Sequence, residues 1–153
     1  MIRHFRLAWD GFLRPMLQRP RRLQVAALCY RRAGADKQVL LVTSRGTGRW
    51  IIPKGWPMRG KDSAGAALQE AWEEAGVRGR NVPKAAIGSY TYEKMQDAGG
   101  WGVPVETLVY PVKVEELAED FPEASERRRK WVSPTEAASM VQEPELQEIL
   151  RGL

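Results

Sequence analysis

Three glutamates in the stretch QEAWEEAGV are spaced so that their carboxylates can act together. Glu70, Glu73 and Glu74 lie at positions i, i+3 and i+4, and at about 100° per residue they fall on one face of a helix. Carboxylates at this spacing can converge on a divalent cation, because Mg²⁺ prefers hard oxygen ligands. The spacing taken alone is more often that of an acidic face exposed to solvent, so the flanking sequence has to decide.

The other side chains that bind metals or act as nucleophiles are scarce. His4 is the only histidine and Cys29 the only cysteine of the chain. This composition excludes Ser-His-Asp and Cys-His catalysis, and it excludes zinc sites built from cysteine and histidine. Metal chemistry must therefore use oxygen ligands, which predicts Mg²⁺ or Mn²⁺. Cys29 lies in the apolar run VAALCY and is expected to be a buried structural thiol.

Length and charge bound the class of protein. A chain of 153 residues with a net charge of +5 predicts one domain with an anionic partner, which charge alone does not identify. No sequence motif predicts nucleic-acid binding. No apolar run approaches the roughly 20 residues of a transmembrane segment, and the opening residues lack the apolar stretch of a secretory signal. A cytoplasmic location is expected.

The elements that must position the glutamates follow the order β-β-loop-α-β-β-(β)-α. LQVAALCYRR and KQVLLVTSR predict neighbouring strands, and RWIIPKGWPMRGKD predicts a loop. Asp62 or Ser63 can cap a helix that runs to about Ala75, and Gly76 ends it. AIGSYTYEKM, VPVETLVYPVKV and KWVS predict further strands, and SPTEAASMV and EPELQEILRG predict two closing helices. This order indicates an α+β domain with a mixed sheet flanked by helices.

Residues 1–22 form a predicted amphipathic arm that precedes the domain of residues 23–153. The arm carries apolar residues at helical spacing, with charged residues on its other side. In a soluble protein such an apolar stripe has to be buried against another surface. Docking on its own domain or on a partner in a homodimer is therefore expected ahead of membrane-surface binding. The residues of the stripe are Ile2, Phe5, Trp9, Phe12, Leu13 and Met16.

Residues 55–77 resemble the Nudix box, whose pattern is G-x5-E-x7-R-E-U-x-E-E-x-G-U with U an apolar residue. Lys61 stands where the family has Glu, and Gln69 stands where it has Arg. The order of strands around the box also resembles the Nudix fold, which implies a Nudix-type mixed β-sheet sandwiched between helices over residues 23–153. The matching positions are Gly55, Glu70, Ala71, Glu73, Glu74, Gly76 and Val77.

The resemblance implies an enzyme that hydrolyses a phosphoanhydride bond with Mg²⁺ or Mn²⁺. It implies that Glu73 and Glu74 are metal ligands and that Glu70 is either a ligand or the general base, which makes the three glutamates the catalytic residues. The carbonyl of Gly55 is a candidate fourth ligand, since glycine lets the backbone approach closely. A further acid from outside the box often joins in this family. The candidates are Glu93, Glu106 and Glu115.

The two departures from the box leave a second function open. Gln69 can still donate a hydrogen bond to a carboxylate but carries no charge, and Lys61 puts a cation near the predicted metal site. Because the three helix glutamates are intact, a hydrolase is expected. The alternative is a Nudix-fold binding or regulatory module with weak or lost catalysis.

Within the family, RWIIPKG and the segment from VYPVKV to SPTEAA resemble the diphosphoinositol polyphosphate phosphohydrolase group. The resemblance implies a highly phosphorylated small-molecule substrate, such as an inositol pyrophosphate or a dinucleoside polyphosphate. If the run RRRK lies in a strand, only two of its four residues point into a cleft, and a solvated edge strand is an equal alternative. The candidate substrate-binding residues are Arg45, Lys54, Arg127 and Arg129.

Overall fold

The computed structural model of the protein describes residues 22–95 and 102–153. The predicted arm therefore lies outside the described residues except for Arg22, which begins the first strand. Residues 96–101 of the predicted turn QDAGGWG lie outside them as well. The homodimer contact predicted through the arm stays a prediction.

Nine strands and three helices make up the described residues. The strands are β1 (Arg22–Ala33), β2 (Asp36–Thr43), β3 (Trp50–Ile51), β4 (Lys54–Gly55), β5 (Val77–Arg78), β6 (Gly88–Met95), β7 (Gly102–Lys113), β8 (Glu116–Leu117) and β9 (Arg129–Val132). The helices are α1 (Ser63–Ala75), α2 (Pro134–Met140) and α3 (Pro144–Arg151).

A mixed seven-stranded sheet is built around β1. Its main path runs β3-β2-β1-β7-β6, with β4 beside β1 and β9 beside β2. β1 pairs antiparallel with β2 and β4 and parallel with β7. A separate two-stranded sheet joins β5 to β8. Because β4 is hydrogen-bonded to β1, the glycine that opens the box is fixed to the centre of the main sheet.

Helix α1 packs on one face of this sheet through small side chains. Its buried alanines contact a cluster that includes Val25, Ala27, Leu40 and Val42 of the first two strands. Asp62 caps the first turn by accepting a hydrogen bond from the Gly65 N–H at 2.8 Å. Small residues let the helix axis approach the sheet closely, which brings its glutamates to the end of β4. The buried alanines are Ala64, Ala66, Ala67, Ala71 and Ala75.

The opposite face of the sheet is covered by α2 and α3. Leu146 and Leu150 of α3 are fully buried in a second cluster with Leu28, Leu41 and Val109 of the strands. The protein is thus an α+β fold in which a mixed β-sheet lies between helices, as predicted. Cys29 is buried, also as predicted.

One local prediction was wrong. The segment RWIIPKG was predicted as loop, but it contains the two-residue strands β3 and β4, held because the Ala27 N–H donates to the Pro53 carbonyl at 2.9 Å. The short strand predicted at KWVS is present as β9, which begins one residue earlier, at Arg129, so only the last two of the four basic residues lie in it. Arg127 and Arg128 instead belong to the segment that leads into that strand.

Candidate active site

Glu74 is the anchored member of the glutamate triplet. Its side chain is only 4% exposed, and Oε1 lies 2.8 Å from Nη2 of Arg127, whose side chain is 6% exposed. Oε2 accepts a hydrogen bond from the backbone N–H of Lys54 at 3.0 Å. Burial raises the pKa of the Glu74 carboxyl, and the positive charges of Arg127 and Lys54 oppose that rise. Glu74 therefore ties α1 to both the box loop and the segment before β9.

Glu70 lies against Gly55 and beside Glu74. A Cβ atom at residue 55 would overlap the Glu70 carboxylate, so only glycine leaves room for it. The pKa of Glu70 is raised from 4.5 to about 8, first by burial and then by a hydrogen bond to Glu74 and by the charges of Glu74, Glu73 and Glu123. This shift favours the protonated form of Glu70 at neutral pH when no cation is bound, with Glu74 as its hydrogen-bond partner.

Glu73 is half-buried one turn after Gln69. Its Oε1 accepts a hydrogen bond from the Gln69 amide at 3.1 Å. Gln69 therefore keeps the hydrogen-bonding ability predicted for it and orients Glu73 without a charge. The second departure from the box, Lys61, is exposed in the loop before α1.

The chemistry of these groups fits a hard divalent cation. The Glu70 carboxylate lies against Gly55, and its hydrogen bond to Glu74 brings two carboxyl groups together, which are ligands that such a cation prefers. In residues 22–95 and 102–153, no three acidic, histidine or cysteine side chains already surround one point. A cation would compete with protonation of Glu70 and would draw Glu73 toward Glu70 and the fixed Glu74.

The raised pKa of Glu70 predicts how stability without metal depends on pH. Below about pH 4.5 both the folded and unfolded chains hold the proton, and above about pH 8 neither does. Between these values the folded state binds more protons, so the free energy of unfolding should fall as pH rises through this window. In chelator, the difference in melting temperature between Glu70→Gln and the parent should grow in favour of the variant from pH 5 to 8. Exposed Glu116→Gln is the control, and a constant difference for Glu70→Gln would contradict the prediction.

Two of the predicted substrate-binding cations flank the glutamates. Lys54 is half-buried with its Nζ 5.2 Å from the centre of the Tyr92 ring. Burial lowers its pKa to about 8, and the charge of Glu74 opposes this shift. Arg45 has a side chain that is 59% exposed, and its Nε lies 3.3 Å from Oε1 of Glu123. Lys54 is joined to the glutamates by its N–H, which donates to Glu74. Arg45 is joined to them through Glu123, which also contacts Arg127.

The other two predicted cations contact oxygen atoms of the protein itself. Besides Glu74, Arg127 contacts Glu123 and donates from Nη1 to the Thr43 carbonyl at 2.8 Å. Nη1 of Arg129 donates to the carbonyls of Ala75 and Ala118 at 2.9 and 2.8 Å. Binding of substrate by these two residues stays a prediction.

Glu123 was not among the acids predicted to join the site. It contacts Arg45 and Arg127, and its charge contributes to the raised pKa of Glu70. Of the predicted acids, Glu115 pairs with Arg80 at 3.0 Å, and a Cβ at Gly102 would meet Glu93. The sequence signal that could have pointed to Glu123 is the change from acidic to basic residues in EDFPEASERRRK. A basic residue of this segment can pair both with an acid of the same segment and with a glutamate of α1.

The aromatic side chains that could stack on a base have different surroundings. Tyr90 is buried in the core, and the Tyr92 hydroxyl donates to Oε1 of Gln24 at 2.6 Å. Trp56 is 38% exposed in the box loop, with Nζ of Lys94 4.9 Å from the ring centre. Trp101 lies outside the described residues. Trp56 is thus the exposed aromatic that lies next to Gly55 in the chain.

Comparison with known proteins gives one consistent family. The chain matches the family model "NUDIX domain" over residues 20–153. It is 32% identical over 121 residues to human diphosphoinositol polyphosphate phosphohydrolase 3-alpha, which covers 78% of this chain and 68% of that protein. It is 30% identical over 121 residues to mouse diphosphoinositol polyphosphate phosphohydrolase 2, covering 78% of this chain and 62% of that one.

Solved structures with the same fold have lower identity. A C. elegans Ap4A hydrolase superposes with a TM-score of 0.62 and 20% identity, covering 86% of this chain and 94% of that one. The NUDIX domain of Shewanella oneidensis NrtR complexed with ADP ribose superposes with a TM-score of 0.63 and 18% identity, covering 94% and 95%. At these identities the superpositions concern the fold.

Proposed function

The chain belongs to the NUDIX family and is a Nudix hydrolase, and from that premise we propose that it cleaves a phosphoanhydride bond in a highly phosphorylated small molecule. The observation that carries the proposal is the meeting of Glu70 with Gly55 and Glu74, beside Glu73 on the same helix. These groups offer oxygen ligands at the place where two cations, Lys54 and Arg45, lie nearby.

We assign the metal to Glu70, Glu73, Glu74 and the carbonyl of Gly55. Mg²⁺ or Mn²⁺ bound there would neutralise charge on the diphosphate and activate water. Glu74 holds its place through Arg127 and the Lys54 N–H, so it is the fixed ligand. Glu70 exchanges a proton near neutral pH, which suits either a ligand or the general base, as the sequence left open.

Inositol pyrophosphates and dinucleoside polyphosphates are the proposed substrate classes. The relatives named diphosphoinositol polyphosphate phosphohydrolases support the first, and the neighbour named Ap4A hydrolase supports the second. Both substrates carry phosphates beyond the scissile pair, which cations at the edge of the site attract over a distance of about one Debye length, roughly 8–10 Å at moderate salt. A cytoplasmic location remains part of the proposal. No helix in residues 22–95 and 102–153 is both long and apolar enough to span a bilayer.

Replacing Arg45 and Lys54 together by Gln should raise KM for a polyphosphorylated substrate by roughly tenfold and leave kcat nearly unchanged. The reason is that each exposed or partly exposed charge contributes about 0.2–1 kcal/mol of attraction, which salt screens. The parent's KM should therefore rise with ionic strength more steeply than the variant's. KM measured at several salt concentrations checks this, with the joint replacement of the exposed Lys84 and Lys113 by Gln as the matched control. Equal salt slopes would contradict the role of these two residues.

Hydrolysis assays on a panel of substrates test the proposed function directly. With Mg²⁺ present, the panel should include inositol pyrophosphates, dinucleoside polyphosphates and a nucleotide sugar. Turnover of either proposed class that stops in excess chelator is the expected result. A nucleotide sugar as best substrate would reject the proposed classes, and full turnover in excess chelator would reject the metal.

The alternative function is a binding or regulatory module with weak or lost catalysis. It is favoured by the exposed cation at Lys61 and by the uncharged side chain at Gln69. It predicts saturable binding of a polyphosphorylated ligand without release of phosphate or nucleotide. Calorimetry on the ligands of the panel, run beside the turnover assay, separates it from the hydrolase.

A further inference from the structure

The box of this chain lacks the positive charge that the pattern carries beside its glutamates. Gln69 takes that position and donates its neutral amide to Glu73 at 3.1 Å. The charges of Glu73 and Glu74 lie on one helical face, where like charges repel, and a buried carboxylate such as that of Glu74 is costly without a partner. A cation from another part of the chain is therefore needed to compensate the glutamates and to orient them.

Arg127 provides a cation at this place. Its Nη2 lies 2.8 Å from Oε1 of Glu74, in a pair whose side chains are 6% and 4% exposed. Its Nε and Nη2 also lie 3.3 and 3.0 Å from Oε1 of Glu123. The planar guanidinium can serve both carboxylates at once, whereas the single ammonium of a lysine cannot reproduce this fork.

The backbone around Arg127 is fixed to the sheet and to α1. The Arg128 N–H donates to Oγ1 of Thr43 at 2.9 Å, and the Thr43 N–H donates to the Arg128 carbonyl at 3.1 Å. The Glu123 N–H donates to the Glu73 carbonyl at 3.0 Å. The backbone that carries Arg127 is therefore fixed. Its guanidinium contacts one carboxylate oxygen of Glu74, and the Lys54 N–H donates to the other.

Substrate would reach Arg127 only if these bonds were exchanged. Nη1 donates to the Thr43 carbonyl, Nη2 contacts two carboxylates, and Nε faces Glu123. The nitrogen atoms of the guanidinium are all engaged by protein oxygens. A role in orienting Glu74 accounts for this arrangement better than contact with a phosphate.

We infer that Arg127 is a positioning residue that supplies, from the segment before β9, the charge that the box lacks at Gln69. Its task is to hold the Glu74 carboxylate where it can bind the metal. This inference rests on the proposed function, because it assigns a partner to one of the proposed metal ligands.

The test measures metal affinity without substrate. In Arg127→Lys, titration of Mn²⁺ by calorimetry should show affinity weakened by about 10- to 100-fold, the usual loss when a residue that orients a metal ligand is changed. At saturating metal the KM for substrate should stay close to the parent value. Arg127→Met removes the charge altogether and should weaken Mn²⁺ at least as much in whatever fraction folds. Arg128→Lys, the exposed neighbour, is the matched control and should bind Mn²⁺ like the parent.

Placing an arginine at residue 69 of the box gives a second test. If Arg127 only stabilised the fold, this change would not affect the Mn²⁺ affinity of Arg127→Lys. Gln69→Arg added to Arg127→Lys should recover part of the lost Mn²⁺ affinity, because it places a positive charge beside Glu73 on the same helical face. If Arg127 binds substrate instead, Arg127→Lys raises KM and leaves Mn²⁺ affinity unchanged. If Arg127 only stabilises the fold, the melting temperature falls with Mn²⁺ affinity unchanged and no recovery by Gln69→Arg. Either result overturns the inference.

The failure of the inference and that of the proposed function are distinguishable. A parent that binds Mn²⁺ and hydrolyses the panel, with unchanged affinity in Arg127→Lys, overturns the inference alone. A parent that binds Mn²⁺ but hydrolyses nothing rejects the proposed function, while weaker binding in the variant still supports the inference. A parent that binds no Mn²⁺ overturns both.

Discussion

Replacing Glu73 and Glu74 together by Gln should lower kcat by about 10³-fold or more, with the fold retained. Two of the proposed ligands lose their charge, and even a residue one step removed from a metal typically costs about 10- to 100-fold when changed. The amide oxygen of Gln at residue 74 can accept from the Lys54 N–H or from Arg127, but not from both. Because Arg127 keeps its contacts with Glu123 and the Thr43 carbonyl, the packing of α1 should survive. Steady-state turnover at saturating Mg²⁺, with circular dichroism of the same samples, checks both expectations.

The control for this experiment is an equal change of charge away from the site. Glu116 and Glu119 are exposed on the segment after β7, and their joint replacement by Gln should leave kcat within about twofold, as is usual for surface positions. If the variant at Glu73 and Glu74 retained the turnover of the parent, the helix glutamates would not be the catalytic residues.

Mg²⁺ should raise the melting temperature of the protein by about 5 to 10 °C at a hundredfold excess over its Kd. Binding to the folded state alone contributes RT ln(1 + [L]/Kd), about 2.7 kcal/mol at that excess. For a chain of this size each kcal/mol is worth about 2–4 °C. Thermal melts with and without Mg²⁺ at fixed ionic strength measure the shift.

The same melts on Glu73→Gln separate a metal site from a solvated acidic face. The charge of Glu73 acts on Glu70 in the structure, so removing it relieves repulsion and removes a ligand at once. The variant should be at least as stable as the parent without metal, and it should gain less from Mg²⁺. Equal gains for parent and variant would show that the cluster does not bind the ion.

The elements that the sequence could predict are those with local signals. Asp62 and Gly76 bound α1 as their capping preferences indicate, and Gly76 has a φ of 69°, which favours glycine. Ser133 and Pro134 likewise start α2 where the sequence places a polar residue before a proline. Alternating burial along β7 matches its pattern of apolar and polar residues. These signals lie within a few residues of the structure that they specify.

The parts that could not be predicted depend on distant partners. β3, β4, β5 and β8 have two residues each, which is too short for periodicity to show. β4 exists because Val25 and Ala26 pair with it, and nothing in PKG itself specifies that pairing. The parallel pairing of β1 with β7 joins two runs that are far apart in the chain.

The candidate site shows the same division. The placement of Glu70, Glu73 and Glu74 on one face could be predicted, because the spacing of residues in a helix determines the direction of their side chains. The contact of Arg127 with Glu74 could not be predicted. It depends on how the segment before β9 lies against the end of β2, which determines which long side chain reaches α1. The basic run indicated positive charge near the site. The sequence did not show which of its side chains points toward the glutamates.

The bond from Arg127 to the Thr43 carbonyl joins residues 84 positions apart, and that separation has a consequence for folding kinetics. Contacts between distant parts of a chain form late, since closing a long loop costs entropy before the contact is made. Glu74 is therefore fully oriented only after the segment before β9 has docked on the end of β2. Because interactions that form after the transition state act mainly on the unfolding rate, bound metal should slow the unfolding of the protein far more than it speeds folding.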